Sequence, residues 1–238
     1  MTEEKAIRIN KYLADKGYAT RRGADDIIAK GLVTINGKRA VLGDKVTEKD
    51  TVVVNQKRKP NQYVYLAYNK PKGLVTTNAQ GDEKEITDAV HYRTRVFPIG
   101  RLDKDSYGLI ILTNDGRITD RLLNPDKNHE KEYVVTVNKK FTPGFLRNMA
   151  EGVDIGSKQE PYVTRPTKMK KIKEATFSII MTEGKNRQIR RMTDKLGYTV
   201  TDLKRVRVQN IELKDVKPGA YREIVDEERE TFLSSLGL

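Results

Sequence analysis

The residues with the clearest potential for chemistry are Arg101, Asp103 and Asp105, which share a short polar segment between two glycines. The residues that follow, 109–112, form an unbroken apolar run, and this pattern predicts a strand buried on both faces. A carboxylate at the edge of such a core is partly desolvated, so a neighbouring group must set its protonation state. An aspartate there can act as a general base or a nucleophile, although aspartate, serine and glycine also form ordinary turns.

A second segment with chemical potential, residues 183–192, leads into a predicted helix and is rich in arginine. Asn186 can cap this helix, and Ile189, Met192 and Leu196 follow at helical spacing on one apolar face. Gly197 favours the end of the helix, because glycine readily adopts the left-handed conformation common at that position. One face of this helix is therefore predicted to pack on the core.

The basic residues of this helix are predicted to point in two directions. Arg187, Arg191 and Lys195 recur every four residues, so they should form one basic ridge that suits phosphate groups. Arg190 lies beside the apolar face near the start of the helix. It is either one more surface charge or a partly buried cation that awaits a carboxylate partner.

An aromatic residue begins a third informative segment, the predicted strand 133–137. Tyr133, Val135 and Val137 share one face of this strand because side chains alternate. A tyrosine in that position is most often a core aromatic whose hydroxyl reaches water. Its functional interpretation is a stacking platform for a nucleobase.

Residues 6–55 have the pattern of a compact module with two helices and a hairpin. The first helix is predicted over 7–16, and Thr20 can cap the second, which ends at Gly31. Asn36-Gly37, between two strand-like segments, predicts a type I′ hairpin turn. Several cations lie off the apolar face of this module and suit RNA phosphates, although any one of them is usually a solvated charge. These cations are Arg8, Lys11, Arg21, Arg22 and Lys38.

The chain divides into two predicted domains. Residues 1–55 form the small module, and residues 56–62, which are polar and contain a proline, are predicted to be a linker. Residues 63–238 form the larger domain, in which strand and helix patterns are mixed and the fold class is α+β. Predicted strands lie at 64–68, 74–77, 109–112, 133–137, 164–173, 175–182 and 221–225, predicted helices near 118–123, 142–152 and 226–236, and a predicted turn at 69–73.

The composition limits the classes of function. A net charge of +13 indicates a polyanionic partner, most simply nucleic acid. The absence of cysteine excludes disulfides, thiol catalysis and cysteine-ligated zinc, and two histidines make a histidine metal site improbable. No apolar segment approaches the length of a membrane span, and residues 1–4 do not resemble a signal peptide. We therefore expect a cytoplasmic protein without a membrane partner.

Three motifs occur together in this chain: Gly-Arg-Leu-Asp at 100–103 with Gly-Leu at 108–109, Lys-Glu-Tyr at 131–133, and the arginine-rich segment 183–192. They resemble those of the RsuA/RluB/RluE/RluF family of RNA pseudouridine synthases, and 97–106 and 129–133 are most similar to its RluF branch. The N-terminal module resembles the RNA-binding domain of ribosomal protein S4. The resemblance covers the whole chain. It implies a small S4-like α/β domain followed by a catalytic domain with a mixed, mainly antiparallel sheet and flanking helices.

The resemblance also implies a reaction and its residues. The protein would isomerise a uridine of 23S rRNA to pseudouridine, with no cofactor and no metal ion. Asp103 matches the catalytic aspartate, as a nucleophile on the sugar or as a base towards its 2′ position, and Arg190 matches the arginine that pairs with it. Tyr133 matches the residue that stacks on the uracil, and Ile189 matches the aliphatic residue beside it. Arg101 is expected to help hold the nucleotide flipped out of the RNA.

Several alternatives stay open at this point. The same reaction can act on small-subunit rRNA or on a tRNA anticodon loop. A non-catalytic RNA-binding factor for ribosome assembly would share the charge and the module. An RNA N-glycosidase that used the same carboxylate would release free uracil. Nothing in the pattern requires a dimer, so a monomer is expected.

Overall fold

The computed structural model describes residues 6–19, 21–55, 63–157 and 159–238. The chain divides into two compact units, one of Met1–Tyr63 with Asp115–Arg117 and one of Val64–Asn114 with Ile118–Leu238. Both contain helices and strands, so the predicted α+β class is confirmed. The predicted linker 56–62 and the predicted cap Thr20 lie outside the described residues. Within the described ranges, none of the helices has the length and apolar composition that a bilayer span requires.

Short elements make up the smaller unit: β1 (Ile7–Arg8), α1 (Ile9–Asp15), α2 (Arg21–Ala29), β2 (Val33–Ile35), β3 (Lys38–Arg39), β4 (Lys45–Val46) and β5 (Val52–Val54). Strand β2 lies between β3 and β5, and β1 pairs with β4. Asn36 and Gly37 have φ angles of 50° and 78°, as the predicted type I′ turn requires. The first helix begins two residues later than predicted, because Ile7 and Arg8 pair with β4 instead.

The remaining elements belong mainly to the larger unit. They are β6 (Tyr65–Lys70), α3 (Ile86–Ala89), β7 (Phe97–Ile99), β8 (Tyr107–Thr113), α4 (Arg117–Leu123), a 3₁₀ turn (Pro125–Lys127), β9 (Lys131–Val137), α5 (Pro143–Glu151), β10 (Lys168–Lys173), β11 (Thr176–Met181), α6 (Gln188–Lys195), β12 (Val200–Val208), β13 (Ile211–Glu212), β14 (Tyr221–Glu223) and α7 (Asp226–Ser235).

One large sheet organises this unit, with the strand order β10-β11-β9-β12-β8-β6-β14, β7 beside β8 and β13 beside β12. Its neighbouring strands are antiparallel except in the middle, where β12 and β8 are parallel. This parallel pair joins Lys204 to Tyr107 and Arg205 to Gly108, and we call it the central seam. Leu109, Ile110, Ile111 and Leu112 of β8 are at most 1% exposed. The predicted strand buried on both faces is therefore confirmed.

The backbones approach closely at the central seam, which explains Gly108. Gly108 has a φ of +104°, and a Cβ added to it would lie 2.2 Å from the backbone oxygen of Arg205. A side chain at this position would therefore clash with backbone that cannot move aside easily. The close approach of β8 and β12 therefore requires glycine at this position.

Separate hydrophobic cores form on the two sides of the central seam. Helices α5 and α6 pack on β9, β11 and β12, and this core includes Val135, Phe177 and Met192. The other core joins β6 and β8 to α3 and includes Leu66 and Ile110. Each half of the sheet therefore buries its own apolar face.

Three predicted elements differ from the structure, and the central strand was missed. Asn69 and Lys70, predicted in a turn, extend β6 and are buried, and 74–77 contributes an isolated bridge between Val75 and Glu85 instead of a strand. Strand β10 begins at Lys168, four residues later than predicted. The central strand β12 was not predicted at all, because charged residues interrupt its apolar pattern.

Candidate active site

Asp103 lies on the loop of residues 100–106 that connects β7 to β8. The buried hydroxyl of Thr76 donates to the carbonyl oxygen of Leu102 (2.7 Å) and accepts from the Leu102 amide (3.1 Å). The amide of Ser106 donates to the carbonyl oxygen of Asp103 at 3.1 Å. These bonds tie the loop backbone on both sides of the carboxylate, so the carboxylate has a defined position.

Lys70 supports this loop from below, a role that the sequence analysis missed. Its side chain is fully buried, and Nζ donates to the carbonyl oxygens of Leu74 (2.7 Å) and Pro71 (2.9 Å) and lies 3.5 Å from that of Lys104. A buried ammonium group is tolerated when carbonyl oxygens replace its water. The signal that could have located it is the lysine before a proline at the end of an apolar strand.

The buried position of Lys70 predicts a pH-dependent contribution to stability. Burial lowers its pKa from 10.5 to about 8, although the charges of Asp103 and Asp105 act in the opposite direction. Between these two values the unfolded chain still holds a proton that the folded protein has lost, so the unfolding free energy gains a contribution that increases with pH. This contribution is absent in Lys70→Met. The stability difference between wild type and variant should therefore widen by up to about 3 kcal/mol from pH 7 to pH 10.

Urea denaturation of both proteins at unit intervals of pH measures this difference. Other titrating groups are common to the two proteins and cancel. At neutral pH the variant should already be less stable, because it leaves buried carbonyl groups without a donor. A constant stability difference over this pH range would contradict the assignment.

A single cleft brings together the residues that the sequence analysis placed at the site. Its lining includes Arg101, Asp103, Tyr133, Arg187, Ile189 and Arg190. The loop before β8 supplies Arg101 and Asp103, and β9 supplies Tyr133. The start of α6 supplies Arg187, Ile189 and Arg190. Arg191 and Lys195 lie outside this lining as exposed residues of α6, and Arg191 donates to the carbonyl oxygen of Ile155.

The apolar part of the cleft comes from Tyr133 and Ile189. Tyr133 is half-buried, pairs with Ile179 on one side and Arg205 on the other, and packs against the core that includes Val135. Ile189 is 5% exposed at the start of α6. A tyrosine with one covered face and one face towards a cleft can stack on a planar ring.

The arginines of α6 are arranged differently from the predictions. Arg187, predicted on the helix, is its N-cap in place of Asn186 and has a φ of +48°. This conformation turns its guanidinium into the cleft, 3.7 Å from a carboxylate oxygen of Asp103 and 3.6 Å from one of Asp105. The predicted ridge of Arg187, Arg191 and Lys195 is therefore wrong for Arg187.

The predicted direct pair between Arg190 and Asp103 is also corrected. Among the described residues, the carboxylate within ion-pair distance of Arg190 is that of Asp105, at 3.9 Å. The guanidinium is 13% exposed and lies below the loop, 3.4 Å from the hydroxyl oxygen of Ser106 and 3.4 Å from the carbonyl oxygen of Val200. Arg190 lies in the first turn of α6, whereas Arg187 is the N-cap before that turn, so the two side chains leave the helix start in different directions.

A buried polar network fixes the wall of the cleft beside α6. The carboxylate of Glu183 accepts from the hydroxyl of Tyr162 (2.5 Å), the side-chain amide of Gln188 (2.5 Å) and the backbone amide of Arg165 (3.1 Å). Gln188 in turn accepts from the backbone amide of Lys185 at 2.9 Å. These bonds hold the turn that precedes α6 at Glu183 and at Gln188. They therefore also help to fix the position of Arg187, which lies between these two residues.

The predicted cations of the smaller unit are mostly exposed. Arg8, Arg21, Arg22 and Lys38 lie at the surface, and Lys11 is half-buried with its ammonium 3.8 Å from Asp15. They remain candidates for contacts with phosphate groups.

Comparison with known proteins agrees with both parts of this architecture. A family model described as RNA pseudouridylate synthase matches residues 64–195, and a model of the S4 domain matches residues 7–52. The chain is 44% identical over 232 residues to the dual-specificity RNA pseudouridine synthase RluF of Escherichia coli, covering 96% of this chain and 79% of that protein. It is 37% identical over 232 residues to the ribosomal large subunit pseudouridine synthase B of Bacillus subtilis, covering 93% of each.

A crystal structure of a pseudouridylate synthase has the same fold, with a TM-score of 0.69 and 27% sequence identity over 97% of this chain and 99% of that one. The smaller unit is thus an S4 domain, and the sheet with its cleft is a pseudouridine synthase domain. The chain belongs to the RNA pseudouridine synthase family, a family of isomerases, and is of the RluF type.

Proposed function

We propose that this enzyme isomerises a specific uridine of 23S rRNA and that Asp103 is its catalytic group. The observation that carries this proposal is the cleft in which a tethered carboxylate faces an aromatic ring and an aliphatic side chain. The names of the relatives support an RNA substrate, and one of them names the large ribosomal subunit. The experiment that tests it is tritium release from RNA labelled at C5 of uridine, because that hydrogen leaves only if C5 forms a new bond.

The reaction rearranges one nucleotide without a change in oxidation state. The C1′–N1 bond breaks, the uracil turns and C5 bonds to C1′. The hydrogen on C5 leaves as a proton, and N1 takes up a proton from water, so the product is an isomer of the substrate. Asp103 acts either as the nucleophile at C1′ or as the base towards the 2′ position, and both roles need an ionised carboxylate. The guanidinium of Arg187 lies 3.7 Å from a carboxylate oxygen of Asp103. No step needs an electron carrier or a Lewis acid, so we propose a reaction without cofactor or metal ion.

Side chains around the carboxylate would hold the base while it turns. We assign stacking on the uracil to Tyr133 and apolar contact beside it to Ile189. Arg101, at the mouth of the cleft, would hold the nucleotide flipped out of the RNA. Flipping costs a few kcal/mol, which stacking and phosphate contacts offset. The uracil itself, once bound, would cover the aspartate and its apolar neighbours.

Contacts with the RNA backbone would come from both domains. We propose that residues 1–55 act as the RNA-binding domain and 63–238 as the catalytic domain, joined by 56–62. Arg191 and Lys195, exposed on one side of α6, would contact phosphates next to the cleft. We propose that the enzyme acts as a monomer, in the cytoplasm where its RNA resides.

The name of two relatives, dual-specificity RNA pseudouridine synthase RluF, supports a second target for this enzyme. We propose a tRNA anticodon loop as that target, and small-subunit rRNA as the alternative. Mapping of pseudouridines in all RNAs of a strain without the gene distinguishes these possibilities. Loss of one site in 23S rRNA supports the first target, and loss in tRNA or small-subunit rRNA identifies the second.

Replacement of five N-terminal cations by alanine tests the role of the S4 domain. The variant replaces Arg8, Lys11, Arg21, Arg22 and Lys38. We expect weaker RNA binding and a shallower dependence of log K on log salt, by about 0.7 for each phosphate that the protein no longer neutralises. Binding is measured at several salt concentrations, and tritium release at saturating RNA serves as the control for an intact cleft. An unchanged salt slope would show that these residues do not contact the RNA.

A further inference from the structure

A second groove lies beside the cleft, on the other side of Asp103. Its lining shares Arg101, Leu102, Asp103 and Arg187 with the cleft, so the two cavities are continuous at these residues. The segment after β6 forms the rest of the groove. We call this cavity the side groove.

Two amide side chains in the lining of the side groove have hydrogen-bonding groups that no described residue uses. Asn78 and Gln80 are exposed, and neither side-chain amide has a hydrogen-bond partner in the part of the chain that the structure describes. Asn78 adopts a φ of +62°, a conformation that asparagine tolerates better than most residues. Amide side chains offer both donors and acceptors, as the hydrogen-bonding edge of a nucleobase requires.

The surroundings of these amides are rigid. Glu83 receives a hydrogen bond from the ammonium of Lys104 at 2.7 Å. On the other side, Thr76 holds the backbone of Leu102. The segment and the Asp103 loop are therefore fastened together on both sides of the groove. Amides held on such a support can discriminate between partners, because little order is lost when they bind.

The distribution of charge indicates what the side groove can accept. Glu83 and Asp105 contribute carboxylates to its lining away from the cleft, and the ammonium of Lys104, which also lies there, is paired with Glu83 at 2.7 Å. Among the described residues, this part of the lining therefore offers a phosphate no unpaired cation, whereas Arg101 and Arg187 line both cavities at their junction. The sequence of a cleft with an aromatic ring, a junction with two arginines and a groove with two amides corresponds to base, phosphate and base in a dinucleotide.

We propose that the side groove binds the nucleotide next to the flipped uridine, with the connecting phosphate at Arg101 and Arg187 and the base against Asn78 and Gln80. This inference rests on the proposed function and extends it to the choice of substrate. Single-stranded RNA is recognised in this way when bases splay out and hydrogen bonds read their edges. Asn78 and Gln80 are thus specificity residues and take no part in the bond rearrangement.

The test uses the intact enzyme and synthetic RNA hairpins around the uridine that mapping identifies, with tritium at its C5. In two hairpins the nucleotide on the 5′ or the 3′ side of that uridine is replaced by an abasic one. The enzymes are wild type, Asn78→Ala, Gln80→Ala and, as the matched control, Asn148→Ala, which removes an exposed amide of α5 outside the groove. Values of kcat/KM are compared in each combination.

We expect wild type and Asn148→Ala to lose about tenfold in kcat/KM when the base on one side is removed, the loss that one or two hydrogen bonds would cause. Asn78→Ala or Gln80→Ala should lose a similar factor on the intact hairpin and nothing further on that abasic hairpin. The subsite would be refuted if Asn78→Ala and Gln80→Ala lost the same factor on the intact hairpin and on the abasic hairpin. It would also be refuted if neither abasic position affected wild type. In both cases tritium release by wild type from the intact hairpin stays normal. Absence of tritium release from every RNA would instead refute the proposed function and the subsite with it.

Discussion

Replacement of Asp103 by asparagine should reduce tritium release from 5-tritiated uridine in RNA by roughly 10³-fold or more. Asparagine has nearly the same shape but can neither attack C1′ nor remove a proton. The loop should keep its conformation, because its tethers come from Thr76, Leu102 and Ser106 and do not involve the carboxylate. RNA affinity, measured by filter binding, should therefore remain within several-fold of wild type.

Asp105→Asn is the matched control for this experiment. Its carboxylate is on the same loop and close to the same arginines, but its side chain is 62% exposed and it lines the side groove and not the cleft. We expect it to lose less than about tenfold, as removal of a largely exposed ion pair usually has little effect. Substantial turnover by Asp103→Asn would refute the mechanism. Free uracil among the products of wild type would indicate an N-glycosidase, and an inactive wild type that binds RNA would indicate an assembly factor.

Arg190→Ala should produce the second largest loss, about 10²-fold in kcat. The guanidinium lies under the loop that carries the acid, in contact with Ser106 and near Asp105, so its removal takes away both positive charge and support. Arg190→Lys should recover part of the rate, since it restores the charge without the planar fork of donors. Single-turnover measurements at saturating RNA isolate this effect from binding.

Replacement of the neighbouring Arg187 should affect substrate binding more than the rate of the reaction. Its side chain is 45% exposed at the mouth of the cleft, so Arg187→Ala should raise KM more than it lowers kcat. Thermal unfolding of both variants controls for a loss of structure. A wild-type kcat for Arg190→Ala in a folded protein would reject the positioning role of this arginine.

The sequence was most informative where hydrophobic pattern and turn chemistry agree. The run Leu109–Leu112 and the hairpin at Asn36-Gly37 have single structural solutions, and both were predicted. The gathering of Asp103 and Tyr133 in one cleft follows from the family motifs, since strands far apart in sequence supply them. No periodicity in the chain contains that information.

Buried charge caused the main failures of prediction. Arg205 is 4% exposed in the middle of β12, where its Nε donates to the backbone oxygen of Leu109 at 2.6 Å. Lys70 is buried with backbone carbonyls as partners in the same way. Backbone oxygens leave no trace in the sequence, so such residues resemble surface charges. The partners of Arg187 and Arg190 were also predicted wrongly. The positive φ of Arg187 directs its side chain towards Asp103, and the sequence does not show this backbone conformation.

The central seam has a mechanical consequence. Asp103 belongs to the half of the sheet that contains β8, whereas Tyr133 and Arg190 belong to the half that contains β9 and α6. The position of Asp103 relative to Tyr133 therefore depends on how β8 and β12 pair at this short parallel junction, and we expect a rotation there to change the width of the cleft. A side chain at position 108 would push β8 away from β12, and we expect turnover to fall although this position needs no contact with the substrate.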